Sequence, residues 1–487
     1  MFDKLKQLSK DTAIYGLSTI LGRFLNFLLV PFYTNVFSTG EFGIYTYVYS
    51  VLAFLNIVYI YGMDAAFMKY SADADKSGKR VAFSTPFIFV TGTAFIFTVL
   101  MLLFFGPINS LLGLPADYSS LIYYTIFILL FDTIALIPFA DLRLENKSKK
   151  FASFKLFNIF INLTLNIVLI VVYKMGIEAI FISNLVASGA VLLLLIPDII
   201  KKLEFTIDKF LLKKMFRFGI FFLPASITAM MVQMIDVPIV TALTDYATVG
   251  VYRANYKLGI FMMLVVQMFN YAWQPFFLTN AKEKNAKEIF SKVLTLFVLA
   301  SGFIWIFLTV IIDDIVHIHL PGGRTLIGAD FVDGFYIVPV ILLAYFFHGM
   351  YYNFTAGLYI KEKTSYFPWV TGLGAVVNIG VNFLLIPVMG IMGAALATLA
   401  SYFVMAAGLF YSSNKFYKIK YEWGKIGTVM ALLVGSAIVY YNVVDHDGLP
   451  FLYKLILPAV FISVLFVARV LKISEIKVVL KSFKRSK

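Results

Sequence analysis

Arg23, Asp132, Asp236, Arg253 and Lys257 stand inside stretches otherwise nearly free of charge, and there the sequence could do chemistry. An ionisable side chain within a membrane span costs about 2.5–3.5 kcal/mol on insertion scales, so such a residue marks a functional position by default. Arg253 and Lys257 are four residues apart and share a helix face. Asp236 is a partner for either, which would make a structural salt bridge. Left unpaired, Asp132 and Asp236 suit a coupling proton or sodium ion. Asn270 and Gln274, with Tyr271 and Trp273, form an amide-and-aromatic set suited to sugar rings, although interfacial belts are the commoner place for Trp and Tyr. Covalent chemistry has little to work with. Zero cysteines remove disulfides, thiolate metal sites and thiol catalysis, and four histidines leave little for a catalytic zinc or a triad. The loop DDIVHIHLPGGRTLIGADFVDG carries an HxH pair and carboxylates, yet reads as an exposed turn rather than a metal site. No Walker-A motif is present, so neither a nucleotide nor a metal is expected as cofactor.

The elements that position these residues follow from composition. Of 487 residues 61% are hydrophobic and only 14% charged, too few charges to cover soluble domains of this size. A soluble enzyme, a disordered chain and a nucleic-acid-binding domain are excluded. An all-α polytopic membrane protein remains. With roughly 20 apolar residues needed per crossing, the sequence predicts fourteen spans, at 12–36, 43–63, 82–106, 118–140, 151–173, 177–197, 216–242, 250–276, 290–312, 335–360, 365–387, 391–414, 424–444 and 450–471. The first is too long for a cleavable signal peptide. Placing the N-terminus in the cytoplasm puts 35 of the 41 Lys and Arg on inside segments, leaving Arg23, Lys174, Arg253, Lys257, Arg324 and Lys454 elsewhere. That asymmetry obeys the positive-inside rule, with both termini cytoplasmic. The basic tail should lie on anionic headgroups.

An internal repeat organises the spans. At an offset of 207, Pro31/Pro238, Thr34/Thr241, Gly43/Gly250, Tyr45/Tyr252 and Tyr49/Tyr256 coincide. Near an offset of 215, Asn162 and Asn166 answer to Asn378 and Asn382. Two six-span halves therefore run the same way, 1–6 and 7–12, with 13 and 14 appended. The expected divisions are residues 1–205, 206–416 and 417–487. Parallel halves of this kind hold substrate between them and alternate access by rocking. Pro31 and Pro238, inside the first and seventh spans, are expected kinks or hinges. The asparagine pairs are expected to make interhelical hydrogen bonds.

The opening SKDTAIYGLSTILGRFLNFLLVPFYTNVFSTGEFGIYTYVYSVLAFLNIVYIYGMDAAFMKYS resembles the N-terminal signature of bacterial oligosaccharide flippases, the O-antigen and capsule repeat-unit branch of the multidrug/oligosaccharidyl-lipid/polysaccharide exporter superfamily. GVYRANYKLGIFMMLVVQMFNYAWQPFF is similar to the start of their second half, and NIGVNFLLIPVMGIMGAALATLAS to their eleventh and twelfth helices. The resemblance implies a V-shaped pair of lobes around a central cavity, in the bacterial inner membrane. It implies a non-enzymatic flippase moving undecaprenyl-pyrophosphate-linked oligosaccharides, with membrane lipids around it and a polymerase and glycosyltransferases as partners. Arg23, Arg253 and Lys257 would then line a water-filled cavity and hold the pyrophosphate or acidic sugars, with Asn270 and Gln274 as further substrate contacts. A lipid II flippase and an ion-coupled drug exporter are the alternatives, although the latter usually has twelve spans. A membrane glycan polymerase would need a larger outside loop. Replacing Arg23 by alanine is expected to impair export while the protein still inserts, as measured by export and membrane fractionation of the variant.

Overall fold

Inside a bilayer every backbone N–H and C=O must find a partner within the chain, which leaves the helix as the element for apolar runs of this length. The computed structural model describes residues 22, 27–72, 78–320, 322–444 and 450–470. Besides a short helix at Phe105–Leu112, its main helices are α1 (residues 27–34), α2 (Thr39–Ser71), α3 (Lys79–Leu103), α4 (Ala116–Leu144), α5 (Ser148–Val172), α6 (Glu178–Lys202) and α7 (Lys209–Met234, continued by Asp236–Leu243). There follow α8 (Tyr246–Asn280), α9 (Ala286–Val316), α10 (Ala329–Ile360), α11 (Tyr366–Met389), α12 (Ile391–Phe416), α13 (Trp423–Val443) and α14 (Phe451–Val467). Twelve of them, α2 to α13, are long and apolar enough to cross a membrane, so the chain is a multi-pass membrane protein. Each answers to one predicted span, from the second to the thirteenth. Helix α14 is shorter, and most of the first predicted span, Arg23 included, lies outside the described residues.

Contacts divide the chain into two units, residues 1–253 and 254–487, with the division falling inside α8. In the first unit Met63, Phe67, Phe83, Ile137, Leu195 and Met215 form a buried core shared by α2, α3, α4, α6 and α7. In the second, Trp305 is buried and its Nε1 donates to the Pro339 carbonyl at 2.8 Å, joining α9 to α10. Lys454 anchors the start of α14 on α9. It is buried, and its ammonium reaches Asp314 at 2.8 Å and Asp313 at 3.2 Å. The histidine-bearing loop forms a two-residue antiparallel pair, with His319 opposite Thr325 and a turn through Gly322 and Gly323, both at positive φ.

The repeat seen in the sequence recurs as repeated hydrogen bonds. Thr34 Oγ1 donates to the Val30 carbonyl at 3.0 Å, and Thr241 Oγ1 to the Val237 carbonyl at 2.8 Å. Asn166 Nδ2 reaches both the carbonyl and Oδ1 of Asn162, and Asn382 Nδ2 does the same to Asn378. Ser38 caps α2 through the Glu41 N–H, while Asp245 caps α8 through the Thr248 N–H, again 207 residues on. Helix α7 is interrupted at Ile235, as expected where Pro238 offers no N–H to the carbonyl four residues before it.

Where these two capped helix starts meet, neither tolerates a side chain. A Cβ on Gly43 would stand 1.7 Å from the Tyr246 carbonyl oxygen, and one on Gly250 would stand 2.0 Å from that of Thr39. These are the same contact made twice, since Gly43 and Gly250, like Thr39 and Tyr246, are related by the repeat. All four residues lie in the first unit. Overpacking of this kind costs about 1–3 kcal/mol, so Gly43→Ala and Gly250→Ala are each expected to lower the thermal midpoint in detergent. Gly92→Ala, with nothing within 4 Å of its new methyl, should leave that midpoint unchanged or raise it.

Candidate functional site

Four helices of the first unit turn polar stripes toward one another. On α4, Asp132, Ala135, Leu136, Phe139, Ala140 and Arg143 recur at helical spacing; on α5, Lys155 and Asn158 begin a stripe that Asn162 and Asn166 continue. Helix α6 adds Asn184 and Ser188, four apart, and α2 adds Asn56 and Asp64. Together they line a cavity of about 350 Å³. Its wall carries two carboxylates (Asp64, Asp132), two cations (Arg143, Lys155) and three carboxamides (Asn56, Asn158, Asn184), with Phe139 and Phe151 beside them.

The charged side chains stand at the cavity wall. Asp132 lies deep within the unit, yet its side chain is open to the cavity, and the Ser188 hydroxyl hydrogen-bonds its carboxylate. Lys155 is likewise accessible, its Nζ standing 4.3 Å over the Phe139 ring. Asn184 is fixed by its Nδ2, which donates to Tyr49 Oη at 2.9 Å. At the end of α4 the ammonium of Lys202 binds both Asp141 and Glu145, and Lys150 binds Asp198 at 2.6 Å, tying α4, α5 and α6 together. Burial raises the Glu145 carboxyl, but the ammonium groups of Lys147 and Lys202 outweigh it and hold that carboxyl below its ordinary value. A water-accessible chamber with opposed charges and amides can bind a polar or charged group that the surrounding lipid would reject.

The other residues singled out by sequence fall elsewhere. Asp236 and Arg253 meet as a buried ion pair, 3% and 5% exposed, at 3.5 Å. Tyr252 Oη donates to the same carboxylate at 2.6 Å, and the Val237 N–H donates to its other oxygen. This geometry is that of the structural salt bridge. Lys257 sits in the second unit, half-buried, where the α-helix of α8 gives way to a 3₁₀ turn over Lys257–Gly259. Asn270 is half-buried and Gln274 exposed. Trp273 corrects the belt reading: it is 2% exposed, packs with Phe277 and Phe290, and donates to the Asn353 carbonyl at 3.2 Å. Of the asparagine pairs, Asn166 makes the expected interhelical bond, accepting from Tyr33 Oη at 2.8 Å. Pro31 lies in α1, where its carbonyl accepts from Asn35 Nδ2 at 2.7 Å.

Lys155 was missed as a site residue because it sits at the edge of a predicted span and counts there as a loop cation. The stripe Lys155–Asn158–Asn162–Asn166, all on one helical face, was the signal that could have found it.

The profile of the polysaccharide biosynthesis protein family matches residues 8–281, more than half of the chain and the whole of this cavity. The chain belongs to that family. As a polysaccharide biosynthesis protein it has no match among curated proteins. Among solved structures, the lipid II flippase MurJ in an inward closed conformation superposes with a TM-score of 0.72 at 17% identity, covering 93% of this chain and 97% of MurJ. An inward-facing MATE family multidrug resistance transporter of the MOP superfamily follows with a TM-score of 0.65 at 11% identity, covering 84% and 96%. A MOP superfamily transporter from Pyrococcus furiosus, described as having a binding pocket of reverse polarity, gives 0.57 at 13%, covering 86% and 96%. At these identities the likeness establishes a shared fold.

The two charged settings in this family member should separate in stability. Removing one partner of a buried ion pair costs about 3–5 kcal/mol, so Asp236→Asn is expected to lower the thermal midpoint sharply. Asp132→Asn, at an accessible wall, is expected to change stability by less than about 1 kcal/mol. Thermal unfolding of both variants in the same detergent checks this.

Proposed function

We propose that the protein is a flippase for undecaprenyl-pyrophosphate-linked oligosaccharide repeat units, feeding lipopolysaccharide, capsule or exopolysaccharide assembly. The observation that carries this reading is the chamber of mixed charge and carboxamides among membrane-spanning helices, in a chain of the polysaccharide biosynthesis family. A glycan diphosphate is a set of hydroxyls and charges, each expensive in hydrocarbon, while the polyprenyl tail is at ease there. The carrier therefore needs a wet path for the head and no covalent step. In this reading fourteen spans form two parallel six-helix lobes, with the boundaries near 205 and 416, and access alternates between them around a central cavity. The chain sits in the inner membrane with both termini cytoplasmic.

Arg23 and Lys257 act as phosphate-side cations in this scheme, and Asn270 and Gln274 as sugar contacts. Asp132 is the ion-coupling candidate, Asp236 and Arg253 being taken up by their buried pair, and Pro31 and Pro238 are the flexing points. Lys155 and Arg143 join the cations that a polar head can reach. No ATP is used. Moving two negative charges outward down an inside-negative potential yields about 4.6 kcal/mol per 100 mV, from about 2.3 per charge. The polymerase and glycosyltransferases of the same assembly line are the natural partners. A lipid II flippase is the second reading, favoured by the superposition on MurJ; both substrates share the polyprenyl diphosphate and differ in the glycan.

Proteoliposomes loaded in parallel with a lipid-linked oligosaccharide and with lipid II separate the readings. The expected result is faster leaflet exchange of the oligosaccharide than in empty vesicles, with lipid II slower. Exchange of lipid II alone selects the second reading. Exchange of neither overturns both.

A further inference from the structure

His348 lies in the apolar stretch of α10, in the second unit. It takes no part in the chamber of the first unit. An ionisable ring within a span is expensive, and imidazole is the side chain whose charge changes near neutral pH. Its surroundings are not those of an apolar core position. The ring lies face to face on Tyr402 of α12, with centroids 4.4 Å apart and planes 10° from parallel. Tyr352 stands 4.6 Å away, Tyr351 6.0 Å and Tyr345 6.5 Å. Aromatic faces within about 6 Å of a cation attract it through the ring quadrupole, the means by which proteins hold cations where water is scarce.

The rings nearest His348 come from α10 and α12, and α8 and α9 pack beside them. From α10 itself they are Tyr345, Tyr351 and Tyr352; from α12, Tyr402. Helix α8 brings Tyr256, 6.3 Å from Tyr345, and Gly259 against that same tyrosine; Lys257, between them in sequence, is the ionisable group of that turn. Helix α9 brings Phe297 close to Gly349, the residue after His348.

We propose that His348 is a proton-binding site, bracketed by Tyr402 and Tyr352, through which the transmembrane proton gradient couples to the transport cycle. The step is imidazole plus one proton giving imidazolium, with no other reactant. Protonation changes the charge at the α10–α12 joint, so the packing of these two helices differs between the loaded and the empty site. A proton taken up on the acidic side and released on the other returns the carrier. The proposal rests on the transport reading above but adds to it the coupling ion and its residue.

The test uses the full protein in proteoliposomes carrying a lipid-linked oligosaccharide, with pH gradient and membrane potential set separately. The wild type is expected to respond to the pH gradient by up to about tenfold per pH unit, the limit for one proton. His348→Gln is expected to lose that response while still moving substrate under a potential, and Tyr402→Phe, which keeps the ring face, is expected to retain it. A His348→Gln protein with an undiminished response to the gradient overturns the proposal. Should no substrate move even in the wild type, the transport reading falls, and the proton site is judged on its own. In that case the imidazole signal absent from His348→Gln, followed by NMR in nanodiscs between pH 5 and pH 8, is expected to titrate and to move the Tyr402 ring signals with it. A His348 signal that stays constant over that range overturns it. Where His348→Gln fails to fold, Tyr402→Leu replaces it: loss of the pH response supports the site and an unchanged response overturns it.

Discussion

A polar group in hydrocarbon calls for a partner or a path to water, and the main polar features of this protein's interior answer to that constraint. Asn166 and Asn382 each fold back on an asparagine one turn earlier, and Asn166 also accepts from Tyr33. Asp236 is satisfied by Tyr252, Arg253 and its own helix. Lys454 is buried on two carboxylates. A further set of polar side chains gathers where four helices turn polar stripes to a shared chamber. The apolar exterior and the charged interior are two consequences of one rule.

The contrast between Asp236 and Asp132 shows how context assigns a role. Both are aspartates in spans, and both cost the same to insert. Asp236 is surrounded by donors and closed off, so its charge holds two helices in register. Asp132 has one hydroxyl partner and an opening, with Lys155 across the same wall poised on an aromatic face. The first is a joint and the second an available surface. Lys155 itself is neither a loop cation nor a core residue. It lines the chamber with its ammonium over the Phe139 ring, as long basic side chains tend to pair an apolar stem with a polar tip.

Much of the helical layout was legible in the sequence, because hydrophobic length and lysine placement are properties of composition alone. Twelve predicted spans have observed counterparts, and the offset of 207 reappears in caps, in threonine back-bonds and in glycine contacts. The ion pair of Asp236 with Arg253 was among the readings of the residues. The chamber was not legible. It needs four stripes on four helices to converge, and one sequence gives the face of each stripe without saying which neighbour it meets. Trp273 misled for a related reason: an indole near a helix end suits the interface, and only packing by Phe277 and Phe290 shows it to be interior. His348 gave no signal in the sequence, since a lone histidine acquires meaning only from the tyrosines around it.

The doubled contact of Gly43 with Tyr246 and of Gly250 with Thr39 has the form of an isologous interface, in which patch i meets patch j and j meets i. Such interfaces belong to two-fold homodimers. Here one chain carries both sides, as a fused pair of duplicated copies would. In a two-fold dimer a single substitution at this glycine would strike both contacts together; in one chain each contact has its own glycine. The two caps have already diverged, a hydroxyl at Ser38 and a carboxylate at Asp245, each holding the same backbone N–H in its own copy. The two sides of the seam can therefore be tuned separately by evolution, a freedom that no symmetric dimer has.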